Sequence, residues 1–230
     1  MSTFVIVHGA WSGGWAWGAV ARALRAAGHE AFTPTLTGLG ERVHLASPEI
    51  DLDTHIMDVV NVLRFEALAS VVLVGHSYGG MVITGVAERV PERIRRLVYL
   101  DAFVPRDGES VEAIVGPEMA GTVIEAGAAH GDGWRVPFLG EPIDRERVTA
   151  MPLAPMRQPM AVRSAVASRL PRSFVHFTAK PSSDPQGPVI TRVAARLRAE
   201  GGWAYHEAAF EHSPQFTVPQ EVARLLLAWA

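Results

Sequence analysis

Five short runs of the chain are apolar almost without interruption: residues 4–7 (FVIV), 71–74 (VVLV), 97–100 (LVYL), 174–177 (FVHF) and 203–206 (WAYH). Strands with one wet face alternate apolar and polar, so continuous runs of this kind predict strands covered on both faces. Helical periodicity fills the intervals. Ile56, Val59, Val60 and Leu63 fall at i, i+3, i+4 and i+7, one stripe of a helix, with Asp53 placed to cap its start. Val222, Leu225, Leu226 and Trp229 repeat the spacing after Pro219, which suits a first helical position. Further helices are predicted over 15–27, closed by Gly28, over 81–90, and over 189–199, closed by Gly201. Strands alternating with helices predict an α/β fold: a mostly parallel sheet of about six strands with helices on both faces.

One interval breaks the rhythm. Across residues 105–172 no strand pattern appears, and Pro and Met accumulate in MPLAPMRQPM. A stretch this long inside a compact domain is usually functional. Val111, Ile114, Val115, Met119 and Trp134 need burial, which disfavours a disordered linker. The expectation is one domain over 1–230 carrying a small helical cap over 105–172.

Composition narrows the chemistry. The 230 residues carry a net charge of −3 and no clustered Lys and Arg, so nucleic acid is not an expected partner. The chain contains no Cys, which excludes disulfides, thiolate metal sites and a thiol nucleophile. Covalent catalysis must then use another atom. No apolar stretch reaches the roughly 18 residues of a membrane span, and the amino terminus lacks the basic and apolar regions of a signal peptide. A cytoplasmic chain without membrane contact is expected.

After the run 71–74 comes Gly75-His76-Ser77-Tyr78-Gly79-Gly80, followed by a helical pattern. This is G-x-S-x-G between strand and helix, where the turn is so tight that side chains at Gly75 and Gly79 would collide. The bare pattern is weak and its setting makes it strong. Ser77 is the candidate nucleophile. The unpaired N–H groups of the helix start favour an oxyanion, and Tyr78 is the expected first donor. The loop His8-Gly9-Ala10-Trp11-Ser12-Gly13-Gly14 would supply the second, from Ala10; it lacks the G-x-G-x-x-G and Walker patterns of a nucleotide cradle.

On these residues the chain resembles the α/β-hydrolase superfamily, in the branch of plant methyl esterases, the salicylic-acid-binding esterase and cofactor-free hydroxynitrile lyases. The resemblance rests on FVIVHGAWSGGWAW, AAGHEA, GHSYGG, LDAFVP and the late histidine before VPQEVA, and covers residues 4–105 and 173–230. It implies a Ser-His-acid triad, a backbone oxyanion hole, no cofactor and no metal. Lyases of the branch carry a threonine after the first-loop histidine and a lysine beside the catalytic one. Here those places hold Gly9 and Ser213, which favours ester hydrolysis.

A general base near neutral pH calls for imidazole. His212, in the loop after the last strand, is placed to reach the serine; His176 and His206 lie inside strand runs, and His76 points away from the hydroxyl in such a turn. Two carboxylates compete as the acid. The family's commoner place, after the 174–177 strand, offers Asp184, but the position directly following that strand is Lys180 and Asp184 lies farther out in a turn-rich loop. Asp101 ends the 97–100 strand, on rigid scaffold, and is favoured, with Asp184 left open.

The expected activity is that of a carboxylesterase acting on a small or medium apolar or aromatic ester. Trp11 and Trp134 are the expected substrate contacts, with Phe138, Met151, Met156 and Met160 as further walls. Arg157 and Arg163 read better as solvated charges. Lyase chemistry on the same serine and histidine, or ligand binding without turnover, are the alternatives, and a homodimer stays open.

Overall fold

The computed structural model describes residues 1–140, 144 and 146–230; residues 141–143 and 145 of the expected cap lie outside them. The main sheet has six strands, β1 (Thr3–Val7), β2 (Glu30–Phe32), β3 (Val71–His76), β4 (Ile94–Leu100), β7 (Arg172–Phe177) and β8 (Ala204–Ala208). All its pairings are parallel, in the order β2-β1-β3-β4-β7-β8. Two-residue strands β5 (Arg135–Val136) and β6 (Met151–Pro152) pair antiparallel within segment 105–172, where no strand was expected.

Period-2 alternation divides the buried strand residues between two cores. Val5, Val7, Val71, Leu73, Leu97, Tyr99 and Phe174 point to one face, packed with α2 (Leu52–Phe65), α3 (Gly79–Arg89) and α7 (Gly187–Glu200). Phe4, Ile6, Val72, Val74, Val98, Leu100, Val175 and Phe177 point to the other, covered by α1 (Gly18–Ala26) and α9 (Pro219–Leu227). Burial on both faces is why those strands read as continuous apolar runs. Segment 105–172 adds α4 (Val111–Val115), α5 (Pro117–His130) and α6 (Ala154–Arg157), and a short α8 (Pro214–Thr217) precedes α9.

Three expectations need correction. Strand β2 went unread because it is a three-residue edge with one fully buried position, Ala31. Asp51, not Asp53, caps α2: it takes extended backbone and accepts from Thr54 N at 2.8 Å, while Thr54 closes the reciprocal bond of a capping box. Asp53 sits inside the first turn and pairs with Arg89. The last strand runs two residues farther, to Ala208, and is half wet because it forms the other edge.

Strand order explains where a site forms. The chain leaves β1 toward β2 on one side and β3 toward β4 on the other, so a crevice opens beyond the carboxyl ends of β1 and β3. Among the described residues no helix is long and apolar enough to cross a membrane, and no His/Cys/Asp/Glu cluster could hold a metal ion.

Candidate active site

Strand β3 ends in the turn that carries Ser77, whose φ of 53° lies in the left-handed region. Such strain costs about 1–3 kcal/mol and persists only where the surroundings over-determine it. Here Ser77 N donates to Leu100 O at 3.2 Å, and Ser77 O accepts from Gly80 N at 3.1 Å and Phe103 N at 3.0 Å. Glycine is required around it: a Cβ at Gly75 would lie 2.6 Å from Gly79 O, one at Gly79 2.5 Å from Val7 O, and one at Gly80 2.1 Å from Phe103 O. The turn is wedged between the loops that follow β1 and β4.

His212 comes from the loop between β8 and α8. Its Nε2 is 3.1 Å from Ser77 Oγ and its Nδ1 is 2.7 Å from Asp101 Oδ2. Because a carboxylate only accepts, Nδ1 carries the proton and Nε2 is left to accept from the serine hydroxyl. Asp101 directly follows β4, has a φ of 45° and is fully buried. Its Oδ1 accepts from Phe177 N at 3.0 Å and from Lys180 Nζ at 2.6 Å. Burial pushes its carboxyl up, but the His212 bond and the Lys180 charge outweigh that and hold it below its ordinary value.

Asp184 is used elsewhere: its Oδ1 accepts from Gln186 N at 2.9 Å, and among the described residues it makes no bond to His212. It sets the turn before α7 that leaves Gln186 Oε1 3.5 Å from Ser77 Oγ. His76 Nε2 donates to the His212 carbonyl at 2.7 Å, and its ring lies 4.8 Å from the His212 ring. Burial pushes His76 down to about 3, so it stands neutral and braces the loop. His206 packs on Trp229, and His176 lies beside Thr191 and Tyr205, both away from Ser77.

The loop after β1 presses its backbone on the serine, for a Cβ at Gly9 would lie 3.1 Å from Ser77 Cβ. His8 fixes the loop by donating from Nδ1 to Gly9 O at 2.7 Å and accepting at Nε2 from Leu36 N at 3.1 Å. Tyr78 is anchored through its hydroxyl, which donates to His55 Nδ1 at 2.8 Å. Burial pushes His8 and His55 each down to about 4. Neither Ala10 N nor Tyr78 N finds a backbone acceptor among the described residues.

Two cavities meet at Ser77, sharing Ala10, Trp11 and Gln186. The wider, about 190 Å³, is lined by His212, Phe138, Val148 and Phe216. The narrower, about 40 Å³, is walled by Phe103, Val111, Val115, Met119, Val123 and Met156. Trp11 lies in both and donates from Nε1 to Val136 O at 2.8 Å. Trp134 does not join it: it lines a separate open groove with Pro48 and Leu153, under the Arg135 guanidinium. Met151 and Met160 are likewise packed in the core rather than along the site, while Arg157 pairs with Glu112 and Arg163 with Asp107.

The alpha/beta hydrolase family model matches residues 4–225. The chain belongs to this family. Over 115 residues, 50% of this chain and 48% of the relative, it is 57% identical to a carbendazim hydrolyzing esterase of Nocardioides sp. (strain SG-4G). Over 103 residues, 44% of this chain and 40% of the relative, it is 36% identical to salicylic acid-binding protein 2 of Nicotiana tabacum. The matched stretches span about half the length of these curated relatives or less. A solved extracellular alpha/beta-hydrolase from a Paenibacillus species superposes with a TM-score of 0.82, at 24% identity, over 99% of this chain and 98% of that one. At that identity the likeness speaks for the fold. The α/β-hydrolase fold and the plant-esterase resemblance expected from the sequence are both found.

Within this hydrolase frame, sequence reasoning passed over Gln186 and Phe216 and gave Lys180 no role. No motif marks them; Lys180 drew notice only as a cation standing where the family commonly has an acid.

Proposed function

We propose that the chain is a serine esterase in which Ser77, His212 and Asp101 form the catalytic triad. The unbroken hydrogen-bonded series from Ser77 Oγ through His212 to Asp101 carries this reading. His212 Nε2 takes the serine proton as Oγ attacks the ester carbonyl, and the same proton passes to the departing alcohol when the tetrahedral intermediate collapses. Water, deprotonated by His212, then cleaves the acyl-enzyme. The N–H groups of Ala10 and Tyr78 would hold the oxyanion in both halves; one such donor is commonly worth about 3 kcal/mol. The relative named as a carbendazim hydrolyzing esterase supports hydrolysis.

The two cavities orient the substrate. His212 must reach the leaving oxygen and lines only the wider cavity, so the leaving group belongs there, against Trp11, Phe138 and Phe216. The acyl group falls to the narrow apolar side, about 40 Å³ against about 190 Å³ for the wider cavity. The favoured substrate is an ester of a short apolar acid with a flat, larger alcohol. Segment 105–172 acts as the cap that walls the acyl side.

A fluorophosphonate should add one adduct to Ser77, and p-nitrophenyl acetate should turn over catalytically in the parent chain and not in Ser77→Ala. Turnover without any trapped adduct would favour a lyase-like use of the same groups. Binding without turnover would make the chain a ligand-binding protein.

A further inference from the structure

Lys180 is the single Lys of a chain whose other basic residues are all Arg. Its side chain is 7% exposed, against a carboxylate that is 0% exposed. An ammonium is normally too costly to bury unless paired and hydrogen-bonded. This one makes two contacts, to Asp101 Oδ1 at 2.6 Å and to the Phe177 carbonyl. A compact charge on a long stem suits a single carboxylate oxygen beside a carbonyl, where the planar guanidinium fork would demand more room.

We propose that Lys180 is a positioning residue of the site, holding Oδ1 of Asp101 so that Oδ2 stays on His212 Nδ1. The inference rests on the esterase reading above. Asp101 has two oxygens and three donors: Phe177 N and Lys180 Nζ share Oδ1, and His212 has Oδ2 to itself. Without the ammonium, one backbone N–H remains to stop the carboxylate turning, and the imidazole loses its fixed bearing on Ser77.

Charge adds a second effect. Lys180 and His212 share the one buried Asp101 carboxylate, so removal of the ammonium leaves that negative charge facing the imidazole alone. The other titratable groups near the pair are His76, buried and stacked on His212, and His176, Tyr205 and Glu207 on β7 and β8. None of them is a buried cation that could replace Lys180.

The test is kcat and kcat/KM against pH for p-nitrophenyl acetate, with Lys180→Met and Lys180→Gln each made in the parent and in Asp101→Asn. Lys180→Met should lower kcat about tenfold with KM little changed, and move the acid limb of kcat/KM up by about one pH unit. Lys180→Gln, which keeps a donor but no charge, should lose less kcat and show the same shift; it also serves if the Met variant does not fold. In the Asp101→Asn background both should cost almost nothing, because the group they act through is gone. An unmoved acid limb, or an equal loss in both backgrounds, would overturn the proposal while Ser77→Ala remained dead. Full activity in Ser77→Ala would instead overturn the esterase reading itself.

Discussion

Ser77 and Asp101 stand at the ends of adjacent parallel strands, whereas Val115, Met119 and Val123 stand on helices α4 and α5 of segment 105–172. The strand ends are tied to one another through the backbone: Ser77 N to Leu100 O, Asp101 N to Val175 O, Phe103 N to Ser77 O. The segment is tied to the rest of the molecule largely through side chains, by Leu52 N to Gln158 Oε1, Arg163 N and Ser164 N to Glu88 Oε2, and Trp11 Nε1 to Val136 O. The first kind of bonding places atoms to a few tenths of an ångström and tolerates little change. The second leaves the pocket wall open to substitution without disturbing the reacting groups.

The strand-end packing tolerates least at Gly80. A Cβ there meets a backbone carbonyl at 2.1 Å, so Gly80→Val should cost more than about 3 kcal/mol and leave little folded chain, as read from the urea midpoint. Acid should strike the same end of the sheet next. His8, His55 and His76, all beneath its loops, are held neutral with values lowered to about 4, 4 and 3. The unfolded chain binds protons at these residues as pH falls through about 6.5, whereas the folded chain does not until near those lowered values. Stability present at pH 7 should therefore be lost progressively between about pH 6.5 and 4, at about 1 kcal/mol per pH unit for each histidine. Urea titrations at pH 7 and 5 check this, and His55→Gln should flatten the dependence by one proton.

Substitutions in segment 105–172 should act more gently. Val115→Trp, filling the narrow cavity, should lower kcat/KM for p-nitrophenyl butyrate about tenfold while sparing the acetate. Loss of both esters alike would place the acyl group elsewhere. Smallest of all, Trp134→Ala should change kcat/KM for either ester by less than about twofold, since its groove is separate from Ser77.

The same division explains what could be read from the sequence. Gly75-His76-Ser77-Tyr78-Gly79 announces itself because strand, turn and helix are contiguous, and His212 because one loop after the last strand can reach that turn. Continuous apolar runs revealed the buried strands but not β2, whose three residues carry no pattern. Asp51 and Asp53 differ only in backbone conformation, which chain order does not display. Asp101 could be favoured over Asp184 as a strand-end residue, but Asp184 stayed open because their distances from His212 depend on how β4, β7 and β8 lie side by side. Trp134 reads as an aromatic needing burial, and only packing of the β5–β6 pair decides which cavity it faces.

In the proposed triad the reacting groups meet at the carboxyl ends of the strands, with Asp101 as the acid. The most direct measurement is kcat for Asp101→Asn and Asp184→Asn side by side, with Ser77 still present. Asp101→Asn should lose about 10⁴-fold, the scale expected when the imidazole is left in the wrong tautomer, and Asp184→Asn should stay within about threefold of the parent. A large loss in Asp184→Asn with Asp101→Asn nearly intact would contradict it.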